Sequence, residues 1–358
     1  MYNLFFLPLF KLILVFLLTG WIHPVRTRAE EVAAAPVPVA PIAPVDFHGW
    51  TNALRIANEV LEVVVVPEIG RIAHVSWRDG PNLLRLDEQW FGQAADDVEQ
   101  DGWINYGGDW LWPVPQPQWP LFQENAWPPG RLLDGRSWSG RAWETEEGQQ
   151  YAMMTQQFGD PLNIQVSRTV VLDAANGRFE VRQRATAVAP TEIPISLWQV
   201  SQLPAADWGI LPVDEDTAFD KGYRVLMNEA PDDTILTRHG EVWVYQAGES
   251  EHKIGVDSPR QWIAAIKGDT LFTLRAEPRD GEGTYPAGAC TIELYANTGP
   301  NRYIELETRS IEQPLDSDES ISNVLYFQLH RLEEVPVTPE AVAEIVREVM
   351  GEAEPTAE

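Results

Sequence analysis

Short runs that alternate apolar and polar residues dominate the chain from about residue 46 to residue 335. LRIA, LEVVVV, RIAHVSW, NIQVSRTVVL, RFEVRQRATAV, ISLWQVSQL, EVWVYQA, QWIAAIK, LFTLRA, CTIELYA, RYIELET and SNVLYFQLH follow one another with turn residues between them. Alternation of period two, broken at short intervals, marks strands half buried in a sandwich or barrel. No segment repeats at a solenoid period and no long amphipathic helix interrupts the series. The pattern predicts one large all-β domain over 46–335. Within it, Asn176-Gly177 is a hairpin turn signal. Folding about it sets Leu172 opposite Val181, Val170 opposite Gln183, Arg168 opposite Ala185 and Val166 opposite Ala187. That face is mostly apolar, so Arg168 reaches inward either to a buried ion pair or to a ligand.

The two ends break the pattern. Residues 1–29 open with the apolar run MYNLFFLPLFKLILVFLLTGW, the mark of a signal peptide or, if it is not cleaved, of a membrane anchor. Residues 30–45 alternate proline with small apolar side chains and read as an extended linker. Residues 336–358 begin Thr338-Pro339-Glu340, a helix start, and place Ala341, Val342, Ile345, Val346 and Val349 at helical spacing, so a short helix is expected in this tail.

One stretch fits none of these classes. NYGGDWLWPVPQPQWP, residues 105–120, is expected to be a loop, because its prolines remove the donors that a central strand needs. Eight of the fifteen tryptophans fall between Trp90 and Trp143. So much indole in a loop either packs as a satellite core or waits for a ligand. A sugar is such a ligand, since its C–H face stacks on indole while its hydroxyls take amides and carboxylates. On that reading Trp110, Trp112, Trp119 and Trp127 stack, and Asn105, Asp109, Gln116 and Gln118 bind hydroxyls. Asp109 behind Gly107-Gly108 serves equally well as a turn cap.

Charge narrows the partners. The formal net charge of -28 excludes nucleic acid and anionic membrane as main partners, since both require basic surface. A carbohydrate or other neutral polyol fits, with membrane contact only through an uncleaved N-terminus. The single cysteine, Cys290, rules out an intrachain disulfide and a structural thiolate site. No zinc spacing, phosphate loop, dinucleotide fingerprint or Gly-x-Ser-x-Gly elbow occurs, so neither metal nor cofactor is expected. An exported protein of the periplasm or cell envelope suits this composition. Oligomeric state is left open.

NEVLEVVVVPEIGRIAHVSWRDGPNLLRL, with Pro67, Gly70, Arg71 and Asn82, resembles the opening hairpins of galactose-mutarotase-like proteins. NYGGDWLWPVPQPQW, WPPGRLLDG, KIGVDSP, YPAGACTIELYAN and YIELET are similar to a family of domains of unknown function, DUF4380, within that superfamily. The resemblance implies a β-supersandwich that presents a concave sheet to carbohydrate. It also implies a catalytic glutamate on a late strand, which YIELETRS places at Glu307, with Glu305 on the same face. Alternation puts two such carboxylates roughly 7 Å apart, near enough to shift each other's pKa; a solvated strand face is the competing account. The histidine expected on the middle strand is missing from ISLWQVSQL, which offers Gln199 instead. His74 and His252 are candidates to replace it, each equally readable as an ordinary packed or surface histidine. Arg71 and Lys253 join the hydroxyl-binding set.

The expectation is therefore an exported carbohydrate-binding protein, acting by proton transfer on a sugar if it is an enzyme. The alternatives are a non-catalytic saccharide-binding or cell-envelope scaffold protein and a polysaccharide hydrolase or lyase.

Overall fold

The computed structural model describes residues 40–97, 103–174, 176–204, 206–277, 285, 290–299 and 301–351. The apolar N-terminus, most of the proline-rich linker and the end of the tail lie outside the described residues.

The strands form two antiparallel sheets. The eleven-stranded sheet runs Ala40–Ile42, Ser139–Glu144, Gln150–Phe158, Ile164–Leu172, Arg178–Ala187, Ser320–Arg331, Thr270–Ala276, Trp262–Lys267, Trp208–Pro212, Val242–Gln246 and Leu236–His239. The ten-stranded sheet runs Arg224–Met227, His252–Val256, Ile292–Ala296, Tyr303–Arg309, Trp198–Pro204, Asp109–Trp112, Arg71–Trp77, Leu61–Val66, Trp50–Ala57 and Val45–Phe47. Alternation decides what meets between them. Leu203, Ile254, Leu294, Ile304 and Leu306 of the ten-stranded sheet join Val170, Val181, Ile263, Phe272 and Phe327 of the other in one core. The expected all-β sandwich is the fold found, and the helix stands at Pro339–Gly351. It buries Val342, Ala343 and Val346 on the outer side of the eleven-stranded sheet, against Trp208, Ile210 and Val244. Thr338 Oγ1 accepts from the Ala341 N–H, as an N-cap does.

Three expectations are corrected. The hairpin pairs Leu172 with Phe179, Val170 with Val181, Arg168 with Gln183 and Val166 with Ala185. Its register is shifted by two residues because the connection, longer than a two-residue turn, is centred one residue before Asn176-Gly177. Asn58 Nδ2 donates to the carbonyls of Asp173 and Asn176 and holds that wider loop. A shift of two preserves the face, so the same side chains still point inward. Second, the linker ends before residue 45, since Ala40–Ile42 pairs with Ser139–Glu144 as an edge strand, where a proline is tolerated.

Third, the tryptophan–proline stretch contains a central strand. Asp109–Trp112 pairs residue for residue with Trp198–Ser201, and Ile72 pairs with Asp109 on its other side. The prolines begin only at Pro113, so these four residues keep all their donors. Gly107 and Gly108, at φ +82° and +80°, let the strand enter between its neighbours. A Cβ on Gly107 would lie 2.2 Å from the Arg85 carbonyl oxygen, closer than any side chain tolerates.

Candidate functional site

The same alternation that fills the core turns a second set of side chains outward from the ten-stranded sheet. Glu305 lies opposite Gln202 on one side and Tyr295 on the other, and Tyr295 lies opposite Lys253. One step along, Glu307 lies between Val200 and Glu293. Five ionisable side chains, Lys253, Glu293, Glu305, Glu307 and Arg309, therefore share one patch of sheet.

They are wired together. Arg309 donates from Nε and Nη2 to the two oxygens of Glu293 at 2.6 and 3.0 Å. Lys253 Nζ stands 3.0 Å from Glu293 Oε2 and 2.9 Å from Glu307 Oε1. The Trp198 indole N–H donates to Glu307 Oε2 at 2.7 Å. Its ring lies under both cations, 3.9 Å from Arg309 Cζ and 5.0 Å from Lys253 Nζ. Glu293 and Glu307 are sealed from solvent. Glu305 is partly open. Its Oε1 accepts from Gln202 Nε2 at 2.7 Å, and its Oε2 has no partner among the described residues.

The environments drive these acids apart. Burial would raise Glu293, but Arg309 and Lys253 outweigh it and hold that carboxyl at about 2. Burial opposes charge on Lys253 too, yet Glu293 and Glu307 keep its ammonium at about 12. Burial pushes Glu307 above the usual carboxylate range, with Lys253 pulling the other way. Burial and then the Glu307 charge push Glu305 up to about 8, so near neutrality it carries a proton. Tyr303, the next residue on this face, is raised by burial and by Glu305, and stays a neutral phenol. Asn105 Nδ2 donates to its hydroxyl at 3.3 Å, and Arg85 lies 5.1 Å over its ring while donating to Gln202 Oε1 at 3.0 Å.

Beside this patch stands the tryptophan cluster. Trp110, Trp112 and Trp119 are 1%, 3% and 0% exposed, so no ring face remains for a sugar, and their expected stacking role is corrected to packing. Trp112 is the hub, with ring centroids 4.9 Å from Trp198, 5.3 Å from both Trp110 and Trp119, and 6.0 Å from Trp103. Asp134 pins the assembly: its oxygens accept from Arg71 Nη2 at 2.9 and 2.7 Å and from the indoles of Trp103 at 2.8 Å and Trp112 at 3.3 Å. Trp127 alone of the four expected stackers is open, at 51% exposure, on a base formed by Trp103, Trp112 and Trp119.

The other expected residues divide the same way. Glu305, Lys253 and Asn105 come together on the outer face. Glu307 joins them but is walled in, so it positions Lys253 and Trp198 and cannot touch a ligand. Arg71 is spent on Asp134. Asp109, Arg168 and Gln199 lie on the opposite face, between the sheets, where Arg168 and Gln199 donate to Asp109, as does Ser201 at 2.7 Å. Of the two roles open to Arg168, the buried ion pair is the one found. Gln116 donates to the Ala126 carbonyl and Gln118 to Glu312, so both amides brace the loop. His74 bonds Ser76 at 2.8 Å and lies 4.0 Å from Glu62. Its strand is three removed from that of Glu305, about 14 Å at ordinary strand spacing, so it cannot act with it. His252 is buried toward the other sheet, against Tyr245. Among the described residues no group of His, Cys, Asp and Glu is placed to hold a metal ion.

Sequence reasoning missed Glu293, Arg309, Arg85, Asp134 and Tyr303 as site residues. For Glu293 a signal exists: TIELYA and YIELETR carry acids on consecutive strands, and the hairpin between them sets Glu293 opposite Glu307.

The chain matches the model of a family described as a domain of unknown function, DUF4380, over residues 51–322. No curated protein matches it. Among solved structures it is similar to a putative aldose 1-epimerase from Escherichia coli K12, with TM-score 0.51 and 11% identity over 78% of this chain and 99% of that chain. A galactose mutarotase-like protein from Clostridium acetobutylicum gives TM-score 0.51 and 10% identity over 82% and 99%. A putative mutarotase from Salmonella typhimurium gives 0.52 and 11% over 82% and 97%. At these identities the likeness establishes the galactose mutarotase-like fold.

Proposed function

The chain belongs to the DUF4380 family, and from that footing we propose that it binds a neutral carbohydrate on the outer face of the ten-stranded sheet and exchanges a proton with it through Glu305. The observation that carries this reading is a carboxyl held at about 8, with one oxygen fixed by Gln202 and the other free of protein partners among the described residues. A group poised near the working pH serves as both acid and base. The protonated carboxyl gives its proton to the ring oxygen of the sugar. The resulting carboxylate takes the proton of the anomeric hydroxyl, so the ring opens to the aldehyde and Glu305 ends as it began. Lys253, locked in its charged form, stabilises negative charge developing beside it. Trp127 supplies the open indole for the C–H face of the ring. Likeness to a putative aldose 1-epimerase supports this choice of reaction. The apolar N-terminal run supports an exported protein, acting in the periplasm or cell envelope.

A second reading, a non-catalytic saccharide-binding or scaffold protein, is favoured by one observation. The companion carboxylates Glu293 and Glu307 are both sealed. Sealing also weighs against a hydrolase, which needs two carboxyl groups facing the substrate. Polarimetry on freshly dissolved α-galactose and α-glucose, with binding followed by tryptophan fluorescence, separates the readings. Mutarotation above the buffer rate that Glu305→Gln removes while binding persists supports proton exchange. Binding without rate supports the second reading. No response to any sugar of a broad panel sinks both.

A further inference from the structure

Glu305 and its neighbours do not end at a wall. Two residues back along the same strand, roughly 7 Å away, Tyr303 also lines a separate cavity of about 470 Å³. Trp208, Asn297, Arg302, Val335 and Val337 are among the other residues that line it. The volume is in the range of small-ligand sites. Val335 and Val337 are 51% and 81% exposed, among the most exposed large apolar side chains described. The Trp208 indole donates to the Pro336 carbonyl at 3.3 Å and so holds that apolar segment over the cavity.

The polar members are underused. Arg302 spends one donor on the Gly248 carbonyl at 3.3 Å, leaving the rest of its guanidinium fork without a partner among the described residues. The Asn297 side chain makes one long contact among the described residues, 3.5 Å to the Tyr295 hydroxyl. Asp207, the carboxylate there, already accepts from the Gly268 N–H at 3.0 Å. An apolar shelf facing an amide and a guanidinium suits an uncharged, hydroxyl-rich ring. The shared Tyr303 places such a ring one unit from Glu305.

We propose that the ligand is an oligosaccharide or a polysaccharide end, one sugar unit meeting Glu305 and the next lying in the Trp208–Asn297–Arg302–Val337 cavity. This rests on the carbohydrate reading above and names its substrate class. The test is calorimetry on the full chain with glucose, galactose, mannose and N-acetylglucosamine, and with the linear di- to hexasaccharides built from them. Wild type is expected to bind a disaccharide or longer chain of one series about tenfold or more tighter than its monomer. Asn297→Ala and Arg302→Ala, both at solvent-accessible positions, are expected to erase that length dependence and leave monomer affinity unchanged. Equal affinity for monomer and oligomer, or a length dependence that both variants retain, overturns this inference and leaves the carbohydrate reading standing. Failure of every sugar at every length overturns both.

Discussion

Replacing Glu305 with glutamine keeps the side-chain shape and the acceptor for Gln202 while removing the titratable proton. In the unfolded chain this carboxyl ionises at about 4.5, and in the fold at about 8. Below pH 4.5 both states hold the proton, and the contribution of Glu305 to stability is complete. Between 4.5 and 8 unfolding releases a proton, so stability falls as pH rises, and above 8 the loss is complete. A difference of about 3.5 units at ~1.4 kcal/mol each sets an upper figure of ~5 kcal/mol, and the partial exposure of the group brings the expected loss to ~2–5 kcal/mol. The assay is urea unfolding of wild type and Glu305→Gln between pH 5 and pH 9. Other titrating groups, such as His74 and His330, whose pKa values burial lowers, act in both proteins and cancel in the difference. The stability of wild type relative to Glu305→Gln is expected to decline by that amount across the range. Parallel curves would refute the claim that Glu305 holds a proton at neutrality, and with it the acid step.

Asp134→Ala strands the buried Arg71 guanidinium and frees two indoles, so a loss of about 3–5 kcal/mol and a red shift in tryptophan emission are expected. Trp119→Ala is expected to cost about 3–5 kcal/mol in denaturant unfolding. Trp127→Ala should cost under about 1 kcal/mol and abolish the fluorescence response to sugar; the reverse order of costs would show the wrong ring to be open. Asp109→Leu alone should lose about 3–5 kcal/mol, and adding Arg168→Met should recover part of it, since the stranded guanidinium is removed while Gln199 and Ser201 still lack their acceptor.

Fold class was legible because it rests on alternation, and alternation survives errors of detail. The hairpin at 164–187 shows this: its register slipped by two, yet Arg168, Val170 and Val181 stayed on the inner face. What composition could not tell was which side of a ring ends up covered. Trp112 and Trp127 look alike in sequence, yet Trp112 stands on a strand paired with Trp198 and bonds Asp134, while Trp127 lies on the cluster with half its surface open. Asp109 and Glu305 posed the same problem. Each is an acid among amides, but register sends Asp109 inward to Arg168 and Glu305 outward to Gln202. Pairing partners on three separate strands fix that outcome, and no local pattern encodes them.

The sealed acids explain the open one. Glu293 neutralises Arg309 through two hydrogen bonds and shares Lys253 with Glu307, so two cations are already matched by two carboxylates before Glu305 is counted. A third negative charge on this patch would find no cation of its own. The nearest candidate, Arg85, is taken by Asp87 at 3.0 Å. Glu305 is therefore the member for which holding a proton costs least, and also the member with an oxygen turned to solvent. Had Glu307 been open and Glu305 sealed, Lys253 would have drawn the exposed acid toward a permanent charge, leaving a binding group that cannot donate. The ion-pair net below the surface thus sets the chemistry above it.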